Sequence, residues 1–261
     1  MADNSTSVYV LKVGESPRSW YRQIGLQPLY RSDEERDKPI FYHFCCIKGE
    51  KEAVIVDTGI APDQANGIEN YESPVSLLAQ IGVDAKKVEK VIITHLHSNH
   101  FSGFYLFDNA DFYIQENEFR SQSKHNAERK FLRENALLAP QLQEDLKDLS
   151  CVQRIHYVNG DEKITDGINV HLVGGHTPGL QVVSVESSSG TAVICSDIAY
   201  LYRNIVEETP IGSFWNLQQA CEGLQKVREI AGNEKLLLPS HDPLIWDGRY
   251  HQVSPRIAKI A

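Results

Sequence analysis

Three histidines fall within six residues of the chain, in residues 94–100 (THLHSNH). Neutral imidazole is a good ligand for zinc, iron, nickel and copper. Residues 91–94 are apolar and β-branched and predict a strand that ends where the histidines begin. A loop that turns into a helix at this point would direct His95 and His97 one way and His100 another. This spacing predicts a metal site rather than a set of unrelated surface histidines.

Three other apolar segments also end in a loop that carries a histidine or an aspartate. Residues 170–173 lead to His176, residues 191–195 lead to Asp197, and residues 236–238 lead to His241. If these strands and strand 91–94 point the same way, their loops converge on one rim, as functional loops on a rigid scaffold commonly do. The pattern therefore predicts one site built from four loops.

The elements that must position these loops are mostly short strands. Further segments rich in Val, Ile, Tyr and Phe predict strands at residues 8–13, 40–48, 53–56, 111–115 and 181–186. Ser73 and Pro74 predict the start of a helix that ends at Gly82. Apolar residues at three- and four-residue spacing, including Leu217 and Cys221, predict a second helix over residues 214–231. The charged residues 116–150 predict two or three amphipathic helices, and strands mixed with helices indicate α/β or α+β layers.

Composition limits the classes of partner. The chain has 261 residues, with 26 Lys and Arg against 35 Asp and Glu, a net charge of −9, and no basic block. This balance argues against a nucleic-acid surface. The longest apolar runs are far shorter than the roughly 20 residues of a membrane span, and the polar first residues lack the features of a secretion signal. We therefore expect a cytoplasmic protein with a small-molecule substrate, and neither a nucleic-acid nor a membrane partner.

No internal repeat or linker divides the sequence, so we interpret residues 1–261 as a single domain with a helical insertion at about 116–150. That insertion could serve as the interface of a homodimer. Five cysteines without a CxxC pair favour reduced, mostly buried thiols. The remaining histidines are interpreted as surface or core residues because they lack a matching loop; they are His43, His125, His156, His171 and His251.

Several of these segments together resemble a known family. Residues 94–100 resemble the HxHxDH signature of the metallo-β-lactamase superfamily. Asp57-Thr58-Gly59 is similar to its DTG turn, residues 175–179 (GHTPG) to its GHTPG loop, Asp197 to its bridging aspartate and His241 to its last histidine. The matches keep the family's order and spread from about residue 54 to residue 242. The resemblance implies an α/β fold, an αββα sandwich of two mixed β-sheets face to face with helices outside.

The resemblance also implies a ligand set. His95, His97 and His176 would hold a first metal, His100 and His241 a second, and Asp197 would bridge the two. One or two divalent ions per chain are expected, with Zn²⁺ as the first choice and Fe²⁺ or Mn²⁺ as alternatives. Asp57 is interpreted as a turn residue that hydrogen-bonds a ligand histidine.

Asn99 departs from the family pattern, which has aspartate at this position. An amide is neutral, binds a divalent cation more weakly than a carboxylate and cannot relay a proton. Three outcomes remain open: Asn99 ligates through its oxygen, the second site is empty or partly filled, or the protein is a non-catalytic member of the family.

Tyr200 stands three residues after Asp197, which resembles the Asp-x-x-Tyr arrangement of the N-acyl-homoserine lactonase branch. The resemblance implies a phenol that hydrogen-bonds the substrate carbonyl or ring oxygen. The expected activity is opening of a small lactone, or a related cyclic ester or amide, by attack of a metal-bound hydroxide. In this interpretation Asp197 orients the hydroxide, Tyr200 stabilises the oxygen, and Asn99 supplies no proton. The alternatives are a thioesterase or phosphoesterase on the same fold, and a single-metal binding or sensor protein without turnover.

Overall fold

Two mixed β-sheets lie face to face, and helices cover their outer faces, in the computed structural model of the chain. The structure describes residues 6–16, 39–121 and 153–261. The predicted αββα sandwich is confirmed. In chain order the strands are β1 (Ser7–Ser16), β2 (Ile40–Lys48), β3 (Ala53–Val56), β4 (Lys90–Ile92), β5 (Asp111–Gln115), β6 (Ile155–Val158), β7 (Glu162–Thr165), β8 (Ile168–Leu172), β9 (Gln181–Ser187), β10 (Gly190–Ser196), β11 (Leu237–Pro239), β12 (His251–Ser254) and β13 (Ile257–Lys259).

The first sheet has the strand order β12-β13-β1-β2-β3-β4-β5-β6, and the second has the order β11-β10-β9-β8-β7. In the first sheet β3, β4, β5 and β6 are parallel neighbours. Because parallel strands end at the same edge, β3 and β4 bring Asp57 beside Thr94 and the first histidines. In the second sheet β10 and β11 are parallel, which brings Asp197 beside His241 in the same way.

The helices are α1 (Pro74–Gln80), α2 (Ser98–Phe101), α3 (Tyr202–Val206) and α4 (Leu217–Ala231). Side chains cap the N-termini of α1 and α4. The Ser73 side chain accepts a hydrogen bond from the backbone N–H of Ser76, and Pro74 occupies the first turn of α1, as predicted. Gly232 ends α4 in the left-handed conformation with φ of 61°. Residues 116–121 are helical as well.

Three apolar layers hold the sandwich together. One lies between α1 and the first sheet, a second lies between the two sheets, and a third lies between the second sheet and α4. Cys45 belongs to the layer between the sheets and the adjacent Cys46 to the outer layer, so the two thiols point to opposite faces of β2, as a strand requires. Cys45, Cys46 and Cys195 are buried and free, whereas Cys221 is exposed.

Several sequence predictions were wrong in detail. The second helix begins at Leu217 rather than at residue 214, because Trp215 and Asn216 donate their backbone N–H groups to Gly175 O instead of continuing a helix. Leu217 is 48% exposed and Cys221 is also exposed, so the buried face of α4 runs through Ala220, Leu224 and Val227. β6, β7, β12 and β13 were not predicted.

The predicted helical insertion overlaps the described residues at 116–121. Of the residues 116–150 expected to form it, 116–121 are helical and those from 122 onwards lie outside the described residues. Within the described parts of the chain, no helix has the length and apolar character that crossing a bilayer requires.

Candidate metal centre

Asp197 lies between two groups of histidines at one edge of the sandwich. Its Oδ2 is 3.5 Å from His95 Nε2 and 3.4 Å from His176 Nε2. Its Oδ1 is 3.3 Å from His100 Nε2 and 3.5 Å from His241 Nε2. The two carboxylate oxygens therefore face different groups, and the four loops predicted to converge do so.

The first candidate ligand group, called the first ligand group below, consists of His95, His97, His176 and Asp197. The ring nitrogens approach one another closely: His97 Nδ1 is 3.0 Å from His95 Nε2 and 2.9 Å from His176 Nε2. Ligand atoms placed about 2.0–2.1 Å from a tetrahedral ion stand roughly 3.3–3.4 Å from one another. These two separations, and those of 3.5 and 3.4 Å from Asp197 Oδ2 to His95 Nε2 and His176 Nε2, are close to the spacing that a tetrahedral ion requires.

The second ligand group consists of His100, Asp197 and His241, all buried. Its side chains come from three elements. His100 lies on α2, Asp197 follows β10 and His241 follows β11. The backbone N–H of His241 donates to Tyr200 O at 3.0 Å, and that of Ser240 donates to Ala199 O at 3.0 Å. These two bonds fix the His241 loop against the chain that follows Asp197.

Hydrogen bonds behind the rings fix which nitrogen faces inward. His176 Nδ1 donates to Ser213 O at 2.5 Å, and His241 Nδ1 donates to Phe41 O at 2.7 Å. His100 Nδ1 lies 2.7 Å from the carboxylate Oδ2 of Asp57. Because a carbonyl or carboxylate oxygen can only accept, each of these Nδ1 atoms carries the proton. In the neutral ring, Nε2 then presents a bare lone pair towards Asp197.

This arrangement fits a cation. His100 Nε2 and Asp197 Oδ1 are buried, face each other, and have no hydrogen-bond partner among the described residues. Lone pairs directed at a buried carboxylate repel it unless a positive charge lies between them. The residues present therefore fit one divalent ion in the first group and a second in the other.

The pKa values of the buried Asp197 and its neighbouring histidines also indicate that positive charge stabilises the site. Burial raises the pKa of Asp197, but His100 and His241 outweigh it and hold that pKa well below its usual range. Burial lowers the pKa of His100, yet the carboxylates of Asp197 and Asp57 raise it to about 10. Burial and the neighbouring His100 lower the pKa of His95 to about 3. A proton on His100 thus occupies the metal-free site.

Asp57 fixes the first sheet's part of the site. Its carboxylate accepts from the Thr94 backbone N–H at 2.8 Å and from the Thr94 hydroxyl at 2.9 Å, besides its contact with His100. Thr94 Oγ1 also lies 2.7 Å from Ser196 Oγ in the second sheet. Asp57 and Ser196 have φ of 62° and 49°, in the left-handed region that non-glycine residues seldom adopt. The predicted hydrogen bond between Asp57 and one of the candidate ligand histidines is confirmed.

The structure places Tyr200 beside two histidines of the site and Asn99 on α2. The Tyr200 ring is buried, with its centroid 4.9 Å from that of His241 and 6.0 Å from that of His176. Burial, and then Asp197, raise its pKa well above the usual range, so the phenol keeps its proton. Asn99 lies on α2 between two ligands and is half-buried. Its role as a ligand remains a prediction.

Sequence reasoning missed several residues that complete the site. The carbonyls of Phe41 and Ser213 orient ligand rings, and the buried carboxylate of Glu118 contacts two ligand-bearing loops. His43 was interpreted as a surface or core histidine, and the structure places it in the core. It is a buried residue of β2, and burial, His241 and His100 lower its pKa to about 3. Backbone carbonyls leave no signal in a sequence, and His43 stands in mid-strand, away from any loop.

His43 should make the metal-free protein sensitive to acid. Its folded pKa of about 3 lies below the value of about 6.5 in an unfolded chain, so only the unfolded state takes up this proton between the two. The contribution to stability is present above pH 6.5 and is lost as the pH falls towards 3. When the pH falls from 7.5 to 5.5, the free energy of unfolding should decrease in both proteins. The decrease should be about 1.4 kcal/mol smaller for His43→Gln than for the unmodified protein.

Urea denaturation of the metal-free protein at several pH values measures this difference. His251→Gln, at an exposed histidine of β12, is the matched control and should follow the unmodified protein. Parallel pH curves for His43→Gln and the unmodified protein would contradict the assignment.

Comparisons with known proteins agree with this geometry. A sequence model of the metallo-beta-lactamase superfamily matches residues 46–241. A curated N-acyl homoserine lactonase of a Bacillus species is 24% identical over 224 residues, which are 79% of this chain and 82% of that protein.

Among solved structures, a quorum-quenching N-acyl homoserine lactone lactonase aligns with a TM-score of 0.75 and 18% identity, over 98% of this chain and 100% of the other. AidC, a dizinc quorum-quenching lactonase, aligns with a TM-score of 0.72 and 17% identity, over 99% of this chain and 95% of the other. At identities of 17–18%, the structural similarity shows the fold alone.

Proposed function

Because the chain belongs to the metallo-beta-lactamase superfamily, we propose that it is a metal-dependent hydrolase whose substrate is a small lactone or a related cyclic ester or amide. The observation that carries the proposal is the orientation of the imidazoles. His100, His176 and His241 each turn Nδ1 outward to an acceptor and Nε2 inward to Asp197. Histidines that served only for packing would not need a common direction.

The residues around Asp197 suit attack by water on a carbonyl group. Divalent ions held by the ligand groups would lower the pKa of water to about 7 and polarise the carbonyl. The Asp197 carboxylate orients the attacking water through the oxygens that face each group. Negative charge then develops on the carbonyl oxygen, and the protonated Tyr200 phenol donates a hydrogen bond to that oxygen.

The leaving group sets a limit on the substrate. Asn99 carries no acidic proton, so the chain offers no carboxylic acid at position 99 to protonate a departing oxygen or nitrogen. Solvent must supply that proton. This favours substrates with a good leaving group, such as a lactone of an enol or phenol, or an activated cyclic amide. The lactonase named among the relatives supports the lactone as the first class to test.

The decisive experiment combines metal analysis with a substrate panel. Protein purified without chelator should contain one or two equivalents of a divalent metal, with Zn²⁺ proposed first and Fe²⁺ or Mn²⁺ as alternatives. The same preparation should hydrolyse at least one lactone faster than thioesters or aryl phosphates. Bound metal without turnover of any panel member would favour a binding or sensor protein, and faster hydrolysis of thioesters or aryl phosphates would move the proposal to those classes. Protein that neither retains nor takes up metal would refute it.

Asn99→Asp tests whether position 99 belongs to the site. A carboxylate a few ångströms from a divalent ion should raise the affinity for the second metal by at least about tenfold. A unit charge at that distance contributes several kcal/mol of attraction even at an effective dielectric constant of about 20. Titration with Zn²⁺ against a competing chelator measures this affinity, and the lactone rate should rise with occupancy. Asn109→Asp, at an exposed asparagine outside both ligand groups, is the control. Unaltered metal content and rate in Asn99→Asp would exclude position 99 from the site.

A further inference from the structure

Glu118 is a fully buried glutamate that belongs to neither ligand group. It lies in the helical residues 116–121 and is 0% exposed. Its Oε1 accepts from the backbone N–H of Leu96 at 3.1 Å, and its Oε2 accepts from the backbone N–H of Gly179 at 2.9 Å. Burial of a carboxylate is unfavourable unless hydrogen bonds replace its hydration. Both oxygens of Glu118 are therefore used to bind backbone.

The two N–H groups belong to the two loops that carry the histidines of the first group. Leu96 stands between His95 and His97, after β4 of the first sheet, and Gly179 stands three residues after His176, before β9 of the second. One carboxylate thus joins the histidines of the first sheet to the histidine of the second without contacting the ligand atoms.

Gly179 shows how closely the two segments approach. A Cβ atom at this position would lie 2.3 Å from Glu118 N and 2.6 Å from Glu118 Cα, so a side chain would collide with backbone. Glycine is needed here for space. The GHTPG loop and the helical residues 116–121 are in backbone contact, and the Glu118 carboxylate is held at a fixed place between the loops.

We infer that Glu118 is a positioning residue for the first ligand group: it fixes the separation between the His95–His97 loop and the His176 loop. This inference rests on the proposed metal site. The two acceptor oxygens of Glu118 are essential to this role. Glutamine has the same shape but would direct an NH₂ group at one of the two backbone N–H donors. One loop would then lose its bond and meet a second donor instead.

Glu118→Gln should therefore weaken metal binding at the first group by about 10- to 100-fold, the range typical of residues that orient metal ligands. Competition between the metal-free protein and a chromophoric chelator for Zn²⁺ measures this affinity without any substrate. The absorption spectrum of Co²⁺ bound to the first group should shift as well, because it depends on the positions of the ligands. Glu118→Asp keeps the charge but is one methylene shorter, so its affinity should fall between glutamate and glutamine.

Leu77→Ala is the control for a simple loss of stability. Leu77 is fully buried on α1, which packs on β1, and neither element carries a ligand. This variant should lower the melting temperature and leave the Zn²⁺ affinity and Co²⁺ spectrum unchanged. If Leu77→Ala lost as much affinity as Glu118→Gln, the effect would be one of stability alone and the inference would fail.

The outcomes separate this inference from the proposed function. Unmodified protein that binds no metal would overturn both. Unmodified protein that binds metal, together with a Glu118→Gln variant of equal affinity and identical Co²⁺ spectrum, would overturn the role of Glu118 alone. Should Glu118→Gln fail to fold, the same comparison applies to Glu118→Asp, for which affinity equal to the unmodified protein is the contrary result.

Discussion

Asp197→Asn should lower the rate of the proposed hydrolysis by at least about 10³-fold, which corresponds to roughly 4 kcal/mol of transition-state stabilisation. Asp197 is the one side chain shared by the two ligand groups. Asparagine keeps the shape but replaces one carboxylate oxygen with an NH₂ group. That group would face either the Nε2 atoms of His95 and His176 or those of His100 and His241. It cannot ligate a metal, and the negative charge that attracts a cation is lost.

Metal content should fall together with the rate, to one equivalent or less. Elemental analysis and a lactone assay on the same preparation measure both quantities. Asp166→Asn is the matched control, since its side chain is 99% exposed, and it should retain full metal content and rate. An Asp197→Asn variant with two bound metals and ordinary turnover would show that the carboxylate does not belong to the centre.

Gly175→Ala should destabilise the protein by roughly 3 kcal/mol or more and reduce metal binding, although residue 175 is not a ligand. Gly175 has φ of +86°, and a Cβ atom there would lie 2.6 Å from Ala220 Cα and 2.7 Å from Ala220 N. The side chain would therefore push the His176 loop away from α4. Gly175 O also accepts from the backbone N–H groups of Trp215 and Asn216, so the displacement would reach the Ser213 carbonyl that orients His176.

Gly67→Ala separates the two causes of this effect. Gly67 also has a positive φ, of +81°, but a Cβ atom there would meet nothing within 4 Å. Its substitution should lower the free energy of unfolding only by the strain of a left-handed backbone at alanine, about 1–2 kcal/mol. Chemical denaturation of the metal-free proteins gives the comparison. Equal losses in the two variants would mean that contact between the His176 loop and α4 does not hold the site together.

The candidate ligand residues could be identified in the sequence because they follow strands that have a strong local signal. Residues 91–94, 191–195 and 236–238 are short, mostly apolar runs that His or Asp follows within three residues. Strands β4, β10 and β11 coincide with these runs to within one or two residues. Their convergence follows from strand direction. Parallel pairing brings Asp57 to Thr94 and Asp197 to His241. The sequence alone predicts this convergence only if the strands are assumed to point the same way.

The residues that orient the ligands were not predictable for physical reasons. Phe41 and Ser213 act through backbone carbonyls, for which any side chain would serve, and they contact histidines far away in the chain. Glu118 stood in a charged segment interpreted as two or three amphipathic helices. It is buried, and both of its oxygens accept hydrogen bonds from backbone N–H groups. The start of α4 was misplaced for a related reason, since Trp215 and Asn216 bond to Gly175 rather than within a helix.

The ligands of both groups are drawn from both sheets. His95, His97 and His100 follow β4 in the first sheet, whereas His176, Asp197 and His241 belong to loops of the second. A bound cation is therefore a crosslink across the sandwich, and its dissociation constant responds to any shear of one sheet over the other. Packing between the sheets, through residues such as Val56, Ile92 and Val183, thus has a thermodynamic link to metal occupancy. Mutations in this layer between the sheets would deplete the metal without altering a single atom that coordinates it.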